Sequence, residues 1–427
     1  MATIQVEELQ ELISNKFDKE TLLGILRKRH DLQNVEIEKI QLGSESKKGD
    51  SYLSTVTRFN VHYNGTNKDG KKVTDCIHMI AKALPKNLGR RKTFRSADFF
   101  GNEVSFYNKV WPVLDAYQKS KNVEKPFDKI PICFSAFADG SNDYIVLEDL
   151  SFDGYGNAQR SSGLDVDHTK QIFSLFAQFH SLVYAYKQEH PSEFEKLANS
   201  LQETYFSEAQ RKWYTNFQNI LKDIVRDAVE KELPKEYLDK LNEVAFNRDF
   251  FGLISEVCAK RGKLSVITHG DAWIPNFLLK YDQSGKPIDA VMIDFQLTRC
   301  SSLALDLLFF IYSCMQHKLV ENSLTEMLEY YLSCFHQNLR ELKCSATITI
   351  TDIETDLKDS SIFGLGMSME AIIMSLLDDD EVSDLDMIQG DEEIPIENIW
   401  IVKPLKTVEK RRRIADFVKH IIDSKFI

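Results

Sequence analysis

Asp271, Asn276 and Asp294 form an ordered set: an acid, an amide five positions on, and a second acid closing the apolar run VMIDFQ. That order suits metal-assisted phosphoryl transfer. One carboxylate, Asp271, takes the proton of an attacking hydroxyl, while the Asn276 amide and the Asp294 carboxylate hold Mg2+ against nucleotide phosphates. Mg2+ prefers hard oxygen ligands, and a neutral one limits repulsion against a triphosphate. The first two residues lie in VITHGDAWIPNFLL, residues 266–279, where Val266 and Ile267 precede and Phe277, Leu278 and Leu279 follow. Such a stretch reads as a loop between two strands. Asp294 then arrives from a strand end, after the turn-like YDQSGKPIDA.

Two differently textured parts must position these groups. Residues 1–30 read as helical. Between 35 and 84 the pattern is strand-like: SYLSTVTRFNVHY and VTDCIHMIAKAL flank NGTNKDGKK, a turn by composition, and predict an antiparallel hairpin. SADFFGNEVSFYNKVWPVL spaces Phe99, Phe100, Val104, Tyr107, Val110 and Trp111 as a helix, and DYIVLEDL follows as a strand. Beyond it helices dominate. TKQIFSLFAQFHSLVYAY sets Ile172, Phe176, Phe179 and Val183 on one face, with Asp167 or Thr169 as its cap. Residues 186–262 are charged and helix-rich, like an insertion, and 303–343 are helical. The acidic run 378–397 and the basic run 403–413 are expected to be solvated. The fold class is α+β, a small antiparallel-sheet lobe over 1–147 and a larger, mainly helical lobe over 148–427.

Composition limits the partners. At 427 residues and 43% hydrophobic, the chain can bury one large core or two moderate ones. A net charge of −12 and a pI near 5.4 argue against a general grip on nucleic acid or an anionic membrane. The start, MATIQVEELQELISNKFDKE, has no basic n-region or apolar h-region, so it does not read as a signal peptide. Leu303–Met315 is too short to span a bilayer and contains Asp306. Seven cysteines without a CxxC pair suit reduced thiols better than a disulfide frame or zinc site. A soluble cytoplasmic protein is expected; oligomeric state leaves no mark.

Protein kinases carry H-R-D-x-x-x-x-N and then D-F-G, but here Gly270 replaces the arginine and Gln296 the last glycine. The loop instead resembles the aminoglycoside phosphotransferase and choline kinase branch of the kinase-like fold, which carries H-G-D or H-N-D. The stretch HGDAWIPNFLLKYDQSGKPIDAVMIDFQLTRCSSLALDLLFFIYS resembles the ecdysteroid kinase-like (CHK kinase-like) family of arthropods in its D-F-Q triplet and the aspartate of LALDL. Glu148-Asp149-Leu150 upstream matches that family's E-D-L, and weaker agreement runs from Gly43 to Tyr330. The resemblance implies a bilobal protein-kinase-like fold, ATP and Mg2+ as cofactors, and a small-molecule alcohol acceptor, an ecdysteroid or a xenobiotic.

It also implies further site residues. Lys82 on a strand and Glu103 on the next helix match the ion pair that holds a lysine at the α and β phosphates. The plainer alternatives are an edge-strand lysine that blunts aggregation and an exposed helix glutamate. Gly43 and Ser44, with Ser46 and Gly49, could cover phosphates, or form an ordinary hairpin turn. Leu147 to Leu150 resembles the link between lobes, where main-chain groups meet adenine; Glu148 and Asp149 can equally be structural. His269 is expected to serve the loop by hydrogen bonding, Asp306 to accept from the loop backbone, and His180 to be a core histidine. The polar SFDGYGNAQRSSGLDVD is a candidate rim for the acceptor pocket. The alternatives in function are a choline or ethanolamine kinase, with Trp273 near the loop, and a catalytically inactive kinase-like binding protein.

Overall fold

The computed structural model describes residues 2–43, 53–158, 163–378, 381, 385 and 388–427. The chain divides into two units, one of residues 1–108, 130–154 and 384–394, the other of 109–129, 155–383 and 395–427. The division is discontinuous along the chain, where the sequence suggested one boundary at 147/148.

The first unit is built on a six-stranded antiparallel sheet of order β1-β2-β3-β4-β6-β5. Its strands are β1 (Thr3–Ile4), β2 (Leu32–Leu42), β3 (Thr55–Asn67), β4 (Lys72–Ala83), β5 (Cys133–Phe137) and β6 (Tyr144–Glu148). Strand side chains alternate between faces, and β4 shows the consequence. Ile77, Met79, Ala81 and Ala83 are buried, whereas Cys76, His78, Ile80 and Lys82 are only half-buried. The buried set packs with Phe59, Val61 and Tyr63 of β3 and with Leu9, Phe17, Leu22 and Leu26 from α1 (Val6–Ile13), α2 (Lys19–Arg29) and their connection. The N-terminal helices thus cover one face and leave the Lys82 face to other work. Because β4 lies between β3 and β6, Lys82 is not an edge-strand lysine. Two short helices, α3 (Leu88–Thr93) and α4 (Ser96–Ser105), follow β4.

The second unit is mainly helical. It begins with α5 (Trp111–Ser120), β7 (Gly156–Asn157) and the long α6 (Val166–Glu189), which packs against α12 (His317–Glu341) and strands β8 (Ser265–Thr268) and β10 (Pro287–Met292). Phe176 of α6 meets Phe277 and Phe310 at ring distances of 5.4 and 5.9 Å. The cap of α6 is Asp165, which accepts from His168 N–H, rather than Asp167 or Thr169. Those two already lie inside the first turn, where the backbone is helical and cannot act as the extended cap residue. The charged 186–262 region forms α7 (Pro191–Ala198), α8 (Arg211–Glu232), α9 (Lys235–Leu241) and α10 (Phe250–Ala259). Strand β9 (Phe277–Tyr281) pairs with β10 and β7, and β11 (Arg299–Ser302) pairs with β8. Helices α11 (Ala304–Cys314), α13 (Ile350–Asp359), α14 (Ser361–Ser375) and α15 (Val408–Asp423) complete the unit.

Neither charged run is simply solvated. Within the acidic run Ile388 and Ile396 are buried. In the first unit, Gly89 N–H donates to Gly390 O, Asn87 to Ile388 O, and Ile394 N–H to Thr93 Oγ1, so residues 388–394 lie along α3. In the basic run Arg411 pairs with Glu232 at 2.8 Å, and Arg413 donates to Tyr312 O at 2.9 Å. Apolar residues interleaved with the charges drive both segments onto the protein. All seven cysteines are free thiols, and no helix among the described residues is long and apolar enough to cross a membrane.

Candidate active site

Strand β8 pairs with β11 through Thr268↔Arg299, and the chain then leaves the sheet as the His269–Asn276 loop. Gly270 takes φ +85°, and a Cβ there would lie 1.9 Å from Leu297 O. Only glycine allows that approach, which is why an arginine cannot occupy the middle of this H-G-D. Asp306, in the first turn of α11, anchors the loop. Its carboxylate accepts from His269 N–H at 2.7 Å and Gly270 N–H at 2.8 Å. His180 Nε2 lies 3.0 Å from the same carboxylate, and His180 Nδ1 lies 2.9 Å from Tyr331 Oη. Burial would push the pKa of this group up, but hydrogen bonds, those from His180 and the Gly270 backbone among them, outweigh it and hold Asp306 below the usual carboxylate range. His269 Nε2 faces Ile293 O at 2.9 Å, and its Nδ1 accepts from Asp271 N–H at 3.2 Å. Those partners assign the Nε2–H tautomer, and burial pushes its pKa down, so the ring is neutral and structural.

The loop and the turn after β10 bring Asp271, Asn276 and Asp294 together in the second unit. Asn276 is buried, its Nδ2 donates to Asp271 O at 3.0 Å, and its main-chain carbonyl accepts from Ile293 N–H at 3.0 Å. With the amide nitrogen committed, Oδ1 is the atom left to act as a hard-oxygen ligand. Asp294 takes φ 69°, ψ 71°, left-handed values that a non-glycine residue rarely adopts. Strain of this kind persists where surrounding structure over-determines it, often at functional sites. The Asp271 carboxyl is pushed up to about 7 by burial and by the Asp294 charge, with hydrogen bonds from Asn276 and Gln296 pulling the other way. A divalent cation relieves that like-charge repulsion, and the Asp294 carboxylate with the Asn276 Oδ1, beside Asp271, fits the hard-oxygen preference of Mg2+.

In the first unit, Lys82 Nζ lies 2.7 Å from Glu103 Oε2, and the Glu103 side chain is only 2% exposed. Glu103 is therefore not an exposed helix residue. Gly43 has a structural explanation: its N–H donates to Arg58 O, and a Cβ would lie 2.8 Å from Arg58 Cβ. Ser44 lies outside the described residues, as do Ser46, Gly49 and part of the SFDGYGNAQRSSGLDVD stretch. In the linker, Glu148 N–H donates to Ile132 O and Asp149 N–H to His78 O, so neither amide is open to a nucleobase. The Asp149 side chain holds Arg58 at 2.7 Å and caps the turn at Ser151. Leu150 is buried and keeps its amide uncommitted among these hydrogen bonds.

Three residues around Asp271 escaped the sequence reading. Gln296 hydrogen-bonds Asp271, and Glu370 and Tyr205 sit within reach of its charge. Gln296 stood out only as a departure from D-F-G, which was a usable signal. Glu370 and Tyr205 are far from the motif in the chain and carry none.

The family model of the ecdysteroid kinase-like family matches residues 48–344. A search of curated proteins finds no match for the chain. Among solved structures, the GDP complex of an aminoglycoside 2'-phosphotransferase-IIIa point mutant is similar, with a TM-score of 0.35 and 13% sequence identity. The similarity covers 82% of this chain and 91% of that one.

Proposed function

The chain belongs to the ecdysteroid kinase-like family, which makes it a small-molecule kinase, and we propose that it uses ATP and Mg2+ to phosphorylate an alcohol hydroxyl of an ecdysteroid or a xenobiotic. The observation that carries this reading is the meeting of Asp271 and Asn276, on a loop fastened by Asp306, with Asp294 from the turn after β10. Asn276 Oδ1 and Asp294 would hold Mg2+, which when bound neutralises charge developing on the transferred phosphoryl group. Asp271 accepts the acceptor's hydroxyl proton and aims its oxygen. Gln296 and Asn276 keep that carboxylate in place. In the first unit, Lys82, positioned by Glu103, would pair with the α and β phosphates, and the Leu150 amide with the Glu148 carbonyl would meet the adenine edge. Gly43 and Ser44 remain the phosphate-covering candidates of this reading.

Asp271 is assigned to the acceptor rather than the nucleotide, so Asp271→Asn should keep ATP affinity and lose transfer. General-base help is worth about 10²–10⁴-fold. The check is calorimetric ATP binding beside a transfer assay with steroid, choline and plant-phenol acceptors. Wild-type transfer rates in the mutant would remove Asp271 as the base. An inactive binding protein would leave both assays silent to the substitution, and preference for choline would favour the ethanolamine-type alternative.

A further inference from the structure

Glu370, on α14, is an unusual acid. Its Oε1 accepts from Tyr205 Oη at 2.8 Å and its Oε2 from Tyr214 Oη at 2.5 Å. Tyr214 is fully buried and Tyr205 nearly so, yet Glu370 itself is half-buried. Aromatic rings wall the group: Trp213 lies 5.4 Å from Tyr205 and Phe206 lies 5.5 Å from Tyr214. A carboxylate in such surroundings is normally matched by a cation. Arg299, which packs over the Phe363 ring of the same helix at 5.4 Å, is committed to Glu203 at 2.7 Å. What acts on the Glu370 charge is burial, which pushes its pKa up, and the two tyrosine hydroxyls. Each carboxylate oxygen has a second lone pair, so the tyrosines orient the group without exhausting it.

The placement is as telling as the chemistry. Glu203 is tied to Arg299, and Thr204 Oγ1 donates to Gln296 O at 3.5 Å, which fastens the segment leading into Tyr205 beside the Asp294 turn. Gln296 in turn hydrogen-bonds Asp271, the Glu370 charge acts weakly on Asp271, and the Asp271 charge acts on Tyr205. The Thr204–Gln296 and Gln296–Asp271 contacts thus tie the segment that carries Tyr205, and through it the half-buried Glu370 carboxylate, to the acid assigned as the base.

We propose that Glu370, oriented by Tyr205 and Tyr214, is an acceptor-binding residue that takes a hydrogen bond from a second donor of the substrate, an O–H or an N–H, while another hydroxyl is presented to Asp271. This rests on the kinase reading above and narrows it. Acceptors then carry two donor groups, one phosphorylated and one recognised, and simple monohydric alcohols bind poorly.

Calorimetry on the full chain tests this without requiring turnover. The probes are a polyhydroxylated steroid, its monohydroxylated counterpart and ethanolamine, titrated into wild type, Glu370→Gln and Tyr205→Phe. Glutamine keeps the volume and one acceptor oxygen. Loss of a hydrogen bond to a charged group corresponds to about 10- to 100-fold in affinity. Glu370→Gln should weaken the polyhydroxylated steroid or ethanolamine by that factor and leave the monohydroxylated steroid unchanged; Tyr205→Phe should weaken the same ligand less. Whichever ligand responds identifies hydroxyl or ammonium as the recognised group. If Glu370→Gln does not fold, the Tyr205→Phe comparison decides alone. Equal affinities in wild type and variants, or no binding of any probe to wild type, overturn the proposal. Glu370-dependent binding without phosphate transfer would keep the subsite and remove the kinase reading instead.

Discussion

Asp271 must stay close to Asp294 and out of bulk water, and in the metal-free protein both conditions favour its protonated form. An ordinary aspartate titrates near 3.8, and this one near 7. Between those values the folded protein keeps a proton that the unfolded chain has released, so this group lowers stability as pH rises through that window. That difference has a ceiling of about 4 kcal/mol, trimmed by the partial exposure of the side chain. Without metal, Asp271→Asn should therefore raise the melting temperature at pH 8 and change it little at pH 3.5. Added Mg2+ should stabilise wild type at pH 8 more than the variant. Parallel melting curves across pH would show that Asp271 is not charge-strained. At the clamp, Lys82→Met removes the ammonium 2.7 Å from a buried glutamate, and breaking buried pairs typically costs about 3–5 kcal/mol. Glu103→Gln keeps a hydrogen-bonding group and should cost less. ATP titrations and thermal melts should rank the two in that order.

At the scale of elements, the loop's conformation depends on one glycine and one helix start. Gly270→Ala forces a Cβ against Leu297 O, a main-chain atom that cannot move without the β8–β11 pair. Gly70, at φ +73° in the β3–β4 turn, has open space around it. Alanine at position 70 should cost only left-handed strain, about 1–2 kcal/mol, and alanine at 270 clearly more. Urea unfolding of the two variants makes the comparison, and equal losses would mean that the loop relaxes freely. Asp306→Ala takes the acceptor from two loop amides and from His180. Each orphaned buried donor costs about 1–3 kcal/mol, so transfer should fall even though Asp306 touches no substrate.

At the scale of the whole molecule, the chain crosses between its two units several times, and the last return, 384–394, is seated in the first. Gly89 makes the seating possible, since a Cβ there would lie 2.7 Å from Gly390 O and 2.8 Å from Glu392 O. Both are main-chain atoms, so Gly89→Ala should lift the segment off α3. Limited proteolysis should then cut within the acidic run 378–397 at least about tenfold faster, as expected when local opening becomes cheap. Unchanged cleavage would show that the contacts through Asn87 and Thr93 hold the segment without Gly89.

The α+β organisation, the loop between strands and the Asp271–Asn276–Asp294 order were legible in the chain because each depends on near neighbours. Alternation in VTDCIHMIAKAL marked a two-faced strand, and the helical spacing of Phe176 and Phe179 marked a buried helix, since local periodicity and burial go together. The sequence could not separate an edge-strand Lys82 from an interior one. That distinction needs the strand order, in which β4 lies between β3 and β6. The expected cap of α6, Asp167 or Thr169, was late by two or four positions, because several acidic and hydroxyl residues competed and only the extended backbone at Asp165 settles the choice. Two charged runs also read as solvated, although charge counts ignore the few apolar residues that seat them. Glu370, Tyr205 and Tyr214 were invisible for a related reason. Their meaning lies in hydrogen bonds across 156 and 165 residues of chain, and only the packing of α14 on α8 and its flanking segment brings them together.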